Sequence, residues 1–238
     1  MYRTDVAAIH HEGFTTFARR ASPGLLGLLR AARIRPGATV VDLGCGSGVW
    51  LARLVEAGYR GIGVDQSPAC AKLARQVAPS ASIRVGSVYR TIIPRCQAIT
   101  ALGEVLSYLP APRLEPFFRR VAHALEPGGL FVFDLMIRRR RPASYRSWSA
   151  GAHWAAMVEV SENTARTGLK RSILTFRRVG RGYRRSQETH RLRLVARAEV
   201  EAALRSAGFR CRAIRGYGRH RLAPGRLGFI ATRPGGPR

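Results

Sequence analysis

Val40-Val41-Asp42-Leu43-Gly44-Cys45-Gly46-Ser47-Gly48 is the stretch on which the fold turns. Thr39 to Leu43 is short, β-branched and apolar, the pattern of a strand buried on both faces. It runs directly into glycines at alternate positions. These let the backbone pass close under a ligand, with N–H groups pointing out beyond the strand's carboxyl end. A helix from Val49 to Ala57 follows, and Gly58 ends it. The spacing is G-x-G-x-G. Val49 stands where the dinucleotide fingerprint would hold its third glycine, which favours a ligand with no pyrophosphate to seat at the helix N-terminus.

Downstream, Gly61 to Asp65 reads as a second strand, with Asp65 about 20 residues past the glycines, where Rossmann logic puts a carboxylate that accepts both ribose hydroxyls. Ser67-Pro68 is an N-cap and first-position proline for a helix through Val77. Ser82 to Val85 and Ala98 to Leu102 are further strands, and Pro116 to Leu125 is a helix. Leu130 to Asp134 is a fifth strand after the Pro127-Gly128-Gly129 turn. Alternating strands and helices predict an α/β, doubly wound sheet. Upstream, Ser22-Pro23 reads as the start of a helix whose apolar face is Leu25, Leu26, Leu28, Leu29 and Ala32, stopped by Arg35-Pro36-Gly37.

Past Asp134 the texture changes. Arg138 to Arg141 and Pro142 open a polar segment, and three strands in meander are expected between His153 and Val195, turning near Asn163 to Gly168 and Gly180 to Gly182. A last helix, Ala198 to Ala207, and strands Phe209 to Ile214 and Leu227 to Thr232 complete the sheet. The expected organisation is one domain over residues 1–238, with an N-terminal lid at 1–20 and an inserted β meander at 137–195 that binds substrate.

The chain has 238 residues and a formal net charge of +27. Residues 1–136 carry 16 basic and 9 acidic side chains, and residues 137–238 carry 25 and 5. Such a field attracts nucleic acid or other anions. Only Lys72 and Lys170 are lysines, however, and near-total arginine usage is equally the mark of a G+C-rich coding bias. No run approaches the roughly 18 apolar residues of a membrane span, and no secretory leader is expected. Cys45, Cys70, Cys96 and Cys211 are scattered without zinc-ligand spacing, so they read as reduced thiols of a cytoplasmic protein and no metal is expected.

The chain resembles the class I S-adenosylmethionine-dependent methyltransferases along nearly its whole length. The resemblance is carried by VVDLGCGSG (40–48), GVDQSP (63–68), VGSV (85–88), ITALGEVLSYL (99–109) and LEPGGLFVFDL (125–135). It implies a Rossmann-like seven-stranded sheet with its last strand antiparallel. It also implies S-adenosylmethionine as cofactor, S-adenosylhomocysteine as product, and a cofactor site of Asp42, Gly44, Cys45, Gly46, Gly48, Trp50, Asp65, Gln66, Ser87, Val88 and Gly103. Gly44 and Gly46 would lie under the methionine part, Asp65 would hold the ribose, and Ser87 with the Val88 backbone would face the adenine. Many relatives carry an acid where this chain has Ser87, and a hydroxyl accepts the adenine amino hydrogen more weakly.

Methyl transfer from a sulfonium needs mainly alignment and a dry cleft, and a base helps when the acceptor is a hydroxyl or an ammonium. Glu104, at the carboxyl end of the fourth strand, is one candidate base, with cofactor orientation as its alternative role. Glu188 and His190, two apart on one strand and so on one face, are the others, against a plain surface ladder. Trp148, Trp154, Tyr183 and Tyr217 are candidates for an acceptor wall or for core. Tyr2, His10, His11 and Phe14 are candidates for a lid, and the 138–141 arginines for an anion contact or a solvated loop.

A small-molecule acceptor with an N or O nucleophile is the leading expectation, because a compact meander suits closing over a pocket. A nucleic-acid acceptor is the alternative, favoured by charge. The Asn/Asp-Pro-Pro-aromatic tetrapeptide of base-amino methylation is absent, and Tyr108-Leu109-Pro110 does not replace it. A non-catalytic Rossmann-like binding protein is the third reading. A nicotinamide dehydrogenase is disfavoured by Val49. The oligomeric state is not fixed by the sequence.

Overall fold

The computed structural model describes residues 2–108 and 114–235. In chain order the elements are α1 (Thr4–Gly13), α2 (Thr16–Ala31), β1 (Thr39–Leu43), α3 (Val49–Glu56), β2 (Arg60–Asp65), α4 (Pro68–Val77), β3 (Ser82–Val85) and β4 (Cys96–Ala101). A 3₁₀ turn (Val105–Tyr108), α5 (Leu114–Ala124) and β5 (Leu125–Met136) follow. Then come β6 (Ser144–Gly151), β7 (Trp154–Glu162), β8 (Gly168–Val179) and β9 (Gly182–Arg193). The chain closes with α6 (Arg197–Ser206), β10 (Arg210–Ile214), β11 (Gly216–Tyr217), β12 (His220–Arg221) and β13 (Arg226–Thr232).

Seven strands form one sheet in the order β10-β13-β5-β4-β1-β2-β3, with β13 antiparallel to both neighbours and the other pairs parallel. This is the expected Rossmann-like sheet with its last strand reversed. Strand order changes direction between β1 and β4, and ligands of open α/β sheets bind in the crevice beyond the strand ends at such a point. Both faces are packed. Along β5, Phe131, Phe133 and Leu135 face α5 and α6, while Leu130 and Val132 face α2 and α3. Phe117, Phe118 and Phe229 complete the aromatic stack on the first face, each buried ring contributing about 1.5–3 kcal/mol.

Two local expectations are corrected and a third is extended. The helix expected to begin at Ser22-Pro23 begins at Thr16 and carries Pro23 inside it; the Ser22 hydroxyl donates to the Ala18 carbonyl at 2.6 Å, next to the donor that Pro23 lacks. The turn expected at Pro127-Gly129 is an irregularity within β5, where the register against β4 shifts. The three strands expected between His153 and Val195 are β7, β8 and β9, and β6 ahead of them extends the meander to four in the order β6-β7-β8-β9. Strand β6 gives no apolar alternation because it is an edge strand with mostly exposed side chains, and β7 supplies its pairing. The turns at 163–168 and 180–182 lie where expected. Leu109 and Pro110 lie outside the described residues.

Candidate active site

A cavity of about 490 Å³ opens at the reversal point, within the usual 300–1,000 Å³ of small-molecule sites. Its floor is the carboxyl edge of β1, β2 and β4. Its roof is α1 and the inner face of the four-stranded sheet, which contributes Ala156, Val158, Arg171, Ile173, Thr175 and His190.

The glycine bend serves three purposes. Gly46, at φ +54°, has nothing within 4 Å of where a Cβ would stand, so its bare Cα faces open space in the cavity wall. A Cβ on Gly44 would meet the Val105 side chain at 2.4 Å, and one on Gly48 would meet the Ala74 backbone at 2.9 Å. Gly48 therefore packs α3 against α4 and is absent from the cavity wall, which corrects its expected place in the ligand set.

Asp65 ties the bend to β2. One carboxylate oxygen accepts the Gly46 N–H at 2.9 Å and the other accepts the Ser67 N–H at 2.8 Å, while the group itself faces the cavity. Burial raises its pKa in spite of those two donors. Asp42 is 3% exposed and also lines the cavity. The Thr100 hydroxyl donates to it at 2.6 Å, and the Trp50 indole N–H donates to Thr100 at 3.1 Å. Asp42 has no basic ion-pair partner among the described residues, and burial, aided by Asp65, pushes its carboxyl up to about 7. Cys45, Trp50, Gln66, Val88 and Gly103 all line the cavity. Ser87 does not: its hydroxyl accepts the Tyr89 N–H and its carbonyl accepts from Thr91, so it closes its own turn, and the wall there is Val88 and Tyr89.

At the β4 end, Gly103 and Glu104 both have positive φ, +80° and +61°. For Glu104 this is a strained conformation, and Asp134 holds it by accepting the Gly103 N–H at 3.0 Å and the Glu104 N–H at 2.6 Å. Asp134 is fully buried and also accepts the Tyr217 hydroxyl at 2.9 Å. The Glu104 side chain lies between Arg171 at 2.5 Å and Arg226 at 3.2 Å. Burial raises its pKa, but the two guanidiniums outweigh burial and hold it below the ordinary value. A carboxylate so paired is a weak base, which argues against the expected role of Glu104 in proton removal.

Glu188 and His190 sit together, buried on the inner face of β9. The His190 Nε2 is 2.9 Å from Glu188, and its Nδ1 is 2.9 Å from the Tyr108 hydroxyl. Glu188 also accepts the Arg3 N–H at 2.8 Å. Burial raises the Glu188 pKa, and the His190 and Arg3 bonds more than reverse this. His190 lines the cavity and Glu188 stands behind it.

Of the expected aromatic wall, none is in place. Trp148 and Tyr183 are 77% and 62% exposed, Trp154 packs on Phe14, and Tyr217 is buried against Asp134. The aromatic lining is Tyr2, Phe14, Phe17, Trp50, Tyr89, Tyr108 and Tyr145. Of the expected lid residues, Tyr2, His10 and Phe14 line the cavity and His11 does not. Tyr2 and its neighbours are tied down by three contacts: Ser67 donates to the Tyr2 carbonyl, Arg3 to Glu188, and Asp5 pairs with Arg177 and Arg184. Burial pushes His10 down to about 4, so it is neutral at pH 7. Arg138 to Arg141 and Arg185 do not line the cavity. Arg171, Arg226, Tyr108 and Asp134 were not anticipated. Only Asp134 carried a signal, as a carboxylate ending an otherwise apolar strand. Among the described residues no cluster of three or more His, Cys, Asp or Glu is arranged for a metal, and no helix is long and apolar enough to cross a membrane.

Residues 40–129 match the family model described as a methyltransferase domain. The chain is similar to a ubiquinone biosynthesis O-methyltransferase of Xanthomonas campestris pv. campestris (strain B100), 28% identical over 136 residues covering 54% of this chain and 55% of that protein. It thus spans about half the length of the curated relatives it matches. It superposes on an S-adenosylmethionine-dependent methyltransferase from Clostridium acetobutylicum ATCC 824 with TM-score 0.82, 17% identity and 98% coverage of both chains. It also superposes on S-adenosylmethionine-bound CalS10, an amino pentose methyltransferase from Micromonospora echinaspora, with TM-score 0.76, 20% identity and 98% coverage of both.

Proposed function

We propose that the chain is a class I S-adenosylmethionine-dependent methyltransferase whose cavity binds S-adenosylmethionine over the glycine bend and that it methylates a small-molecule acceptor held beneath the four-stranded sheet. The observation that carries the reading is Asp42. A buried carboxylate facing a cavity without a basic partner calls for a cationic ligand, and it stands beside the bare Gly46 and the Asp65 carboxylate. S-adenosylmethionine has a sulfonium and an α-ammonium to meet that carboxylate, and when bound it supplies an electrophilic methyl group on a good leaving group.

The chain's residues then divide the work. Asp65 uses one lone-pair position on each oxygen for Gly46 and Ser67 and keeps others for a ribose diol. Val88 and Tyr89 offer an apolar face to the base. Glu104, fixed by Arg171 and Arg226, positions the strained turn that separates cofactor and acceptor. His190, oriented by Glu188, is the imidazole on which proton charge from the acceptor half comes to rest. Residues 1–20 act as a lid and 137–195 as the acceptor-binding insertion, with Tyr2, Phe14 and Ile173 excluding water. The O-methyltransferase and amino pentose methyltransferase names among the similar proteins support a small acceptor with an oxygen or nitrogen nucleophile. Four unpaired cysteines support a reducing, cytoplasmic setting.

Titration calorimetry with S-adenosylhomocysteine tests the reading. The wild type should bind, and Asp65→Ala should lose about 10²-fold or more in affinity, since hydrogen bonds to a charged group contribute about 1.5–3 kcal/mol each. Unchanged affinity in Asp65→Ala, with a normal melt, overturns it. A nucleic-acid acceptor is the second reading, favoured by the +27 charge. Retention of DNA or RNA in a gel shift that persists at physiological salt would support it over the first.

A further inference from the structure

We infer that Tyr108 is the catalytic residue that takes the acceptor's proton, and that the acceptor therefore presents a hydroxyl group; this rests on the methyl-transfer reading above. An ionised Glu188 can only accept hydrogen bonds, so the hydrogen between it and His190 sits on Nε2. In that tautomer the lone pair is at Nδ1, and the hydroxyl 2.9 Å away donates to it. The phenolic hydrogen of Tyr108 is thereby committed to His190, and its oxygen, beside the Arg171 guanidinium, keeps a lone pair to accept. Tyr108 and His190 both line the cavity, but the Tyr2 ring covers the imidazole at 5.1 Å. A polar group entering the cavity meets the Tyr108 oxygen.

The carboxylates around the cavity decide the acceptor class. Glu104 is committed to Arg171 and Arg226, and Glu188 to His190 and the Arg3 amide from behind the wall. Asp42 and Asp65 line the cofactor half. The one carboxylate oxygen of the acceptor half without a hydrogen bond among the described residues, Glu104 Oε2, faces the Arg226 guanidinium at 3.2 Å, which disfavours an ammonium there, and a neutral amine needs no proton removed before attack. A hydroxyl does. The acceptor O–H gives its proton to Tyr108 while the Tyr108 hydrogen passes to Nδ1, leaving an imidazolium against Glu188. The acceptor oxygen's electron pair forms the O–CH₃ bond, and the pair of the broken C–S bond returns to sulfur. Arg171, paired across the sheet with His190 and lying beside Tyr108, stabilises the negative charge that develops on the oxygens. The charged and titratable groups around the relay are Glu188 on β9, Arg171 on β8, Glu104 after β4, Tyr2 ahead of α1 and His10 on α1.

The test combines two measurements. In ¹⁵N-histidine spectra of the ligand-free protein, His190 should carry its proton on Nε2. Tyr108→Phe should shift Nδ1, and Glu188→Gln should release the tautomer. A proton on Nδ1, or an Nδ1 resonance indifferent to Tyr108→Phe, overturns the inference. Homocysteine-product release is then read over matched pairs: phenol with aniline, catechol with 1,2-diaminobenzene, and a methyl glycoside with its amino sugar. Product should come from the hydroxyl members, with kcat reduced about 10²-fold or more in Tyr108→Phe and the KM for S-adenosylmethionine unchanged. Turnover of amines alone, or undiminished turnover in Tyr108→Phe, overturns it; if no pair reacts, the spectra decide. Calorimetry with S-adenosylhomocysteine separates the two failures. Loss of binding in the wild type sinks the methyl-transfer reading, whereas binding without the relay sinks only this inference.

Discussion

Replacing Asp42 with asparagine tests whether this site is built around a cation. In the unfolded chain an aspartate titrates near pH ~3.9. In the folded, ligand-free protein burial and the nearby Asp65 raise Asp42 to about 7. Between those values the folded state holds a proton that the unfolded state has released. The group's favourable contribution is therefore complete below pH ~4 and is lost as pH rises through about 7. At about 1.4 kcal/mol per unit over roughly three units, the full amplitude is about 4 kcal/mol. Asparagine keeps the shape and still accepts the Thr100 hydroxyl, but it cannot ionise. Urea unfolding of both proteins at a series of pH values gives the difference in stability. It should widen in favour of the Asp42→Asn variant by about 1.4 kcal/mol per unit from pH ~4 to ~7 and then level off. Taking the difference removes Asp134, which burial shifts the same way in both proteins, and leaves Asp42 with its mutual repulsion against Asp65. Saturating S-adenosylmethionine should flatten the wild-type curve, because a cation beside Asp42 keeps it ionised, and the variant should bind that cofactor about 10-fold or more weakly. A stability difference that does not vary with pH, or equal cofactor affinity, would refute the reasoning.

Two further substitutions probe the floor and the turn. Gly46→Ala places a Cβ in the open space of the cavity wall at φ +54°, so calorimetry should show cofactor affinity falling at least 10-fold, while the melt reflects only the ~1–2 kcal/mol cost of a left-handed alanine; unchanged affinity would contradict the assigned floor. Glu104→Gln leaves Arg171 and Arg226 without their counter-charge and should cost about 3–5 kcal/mol in unfolding free energy, yet activity assayed well below the melting point should survive, because Glu104 positions the turn and removes no proton. Lost activity with an unshifted melt would make Glu104 the base instead.

The proposed cofactor half of the site was legible in sequence because each part is a local property. Strand period, positive-φ glycines and an acid closing the next strand are set within a few residues of chain, and Gly46, Asp65 and Asp42 line one cavity. Ser87 and Gly48 misled for the same reason: a motif gives position along the chain, whereas the direction a side chain faces depends on what packs beside it, here Tyr89 and Ala74. The acceptor half is assembled by register. Glu188 and His190 share a face by period alone, and that much was readable. The pairing that sets Arg171 opposite His190 was not. Nor was the turn that brings Tyr108 to the same imidazole, or the return of β13 that carries Arg226 to Glu104 and Asp134. Exposed β6 was invisible because an edge strand draws its order from its neighbour.

The basic excess of residues 137–238 acquires a structural meaning once side-chain direction is known. On β8 and β9, Arg171, Arg177 and Arg184 face the core side of the inserted sheet. They engage Glu104 and Asp5, one acid on the central sheet and one on α1. In a chain with only 14 acidic residues, each of these carboxylates draws two guanidiniums, and Glu188 draws the Arg3 amide and His190. The three acids thereby fasten the central sheet, α1 and the insertion around one cavity. Lys170, Arg178, Arg185 and Arg191 alternate with this inward set and point the other way. That outward set, with exposed arginines such as Arg140 and Arg141, is free to generate a field toward solvent. The arginines that shape the site are tied to carboxylates inside the molecule, so much of the net charge belongs to the outer surface and says little about what the cavity accepts.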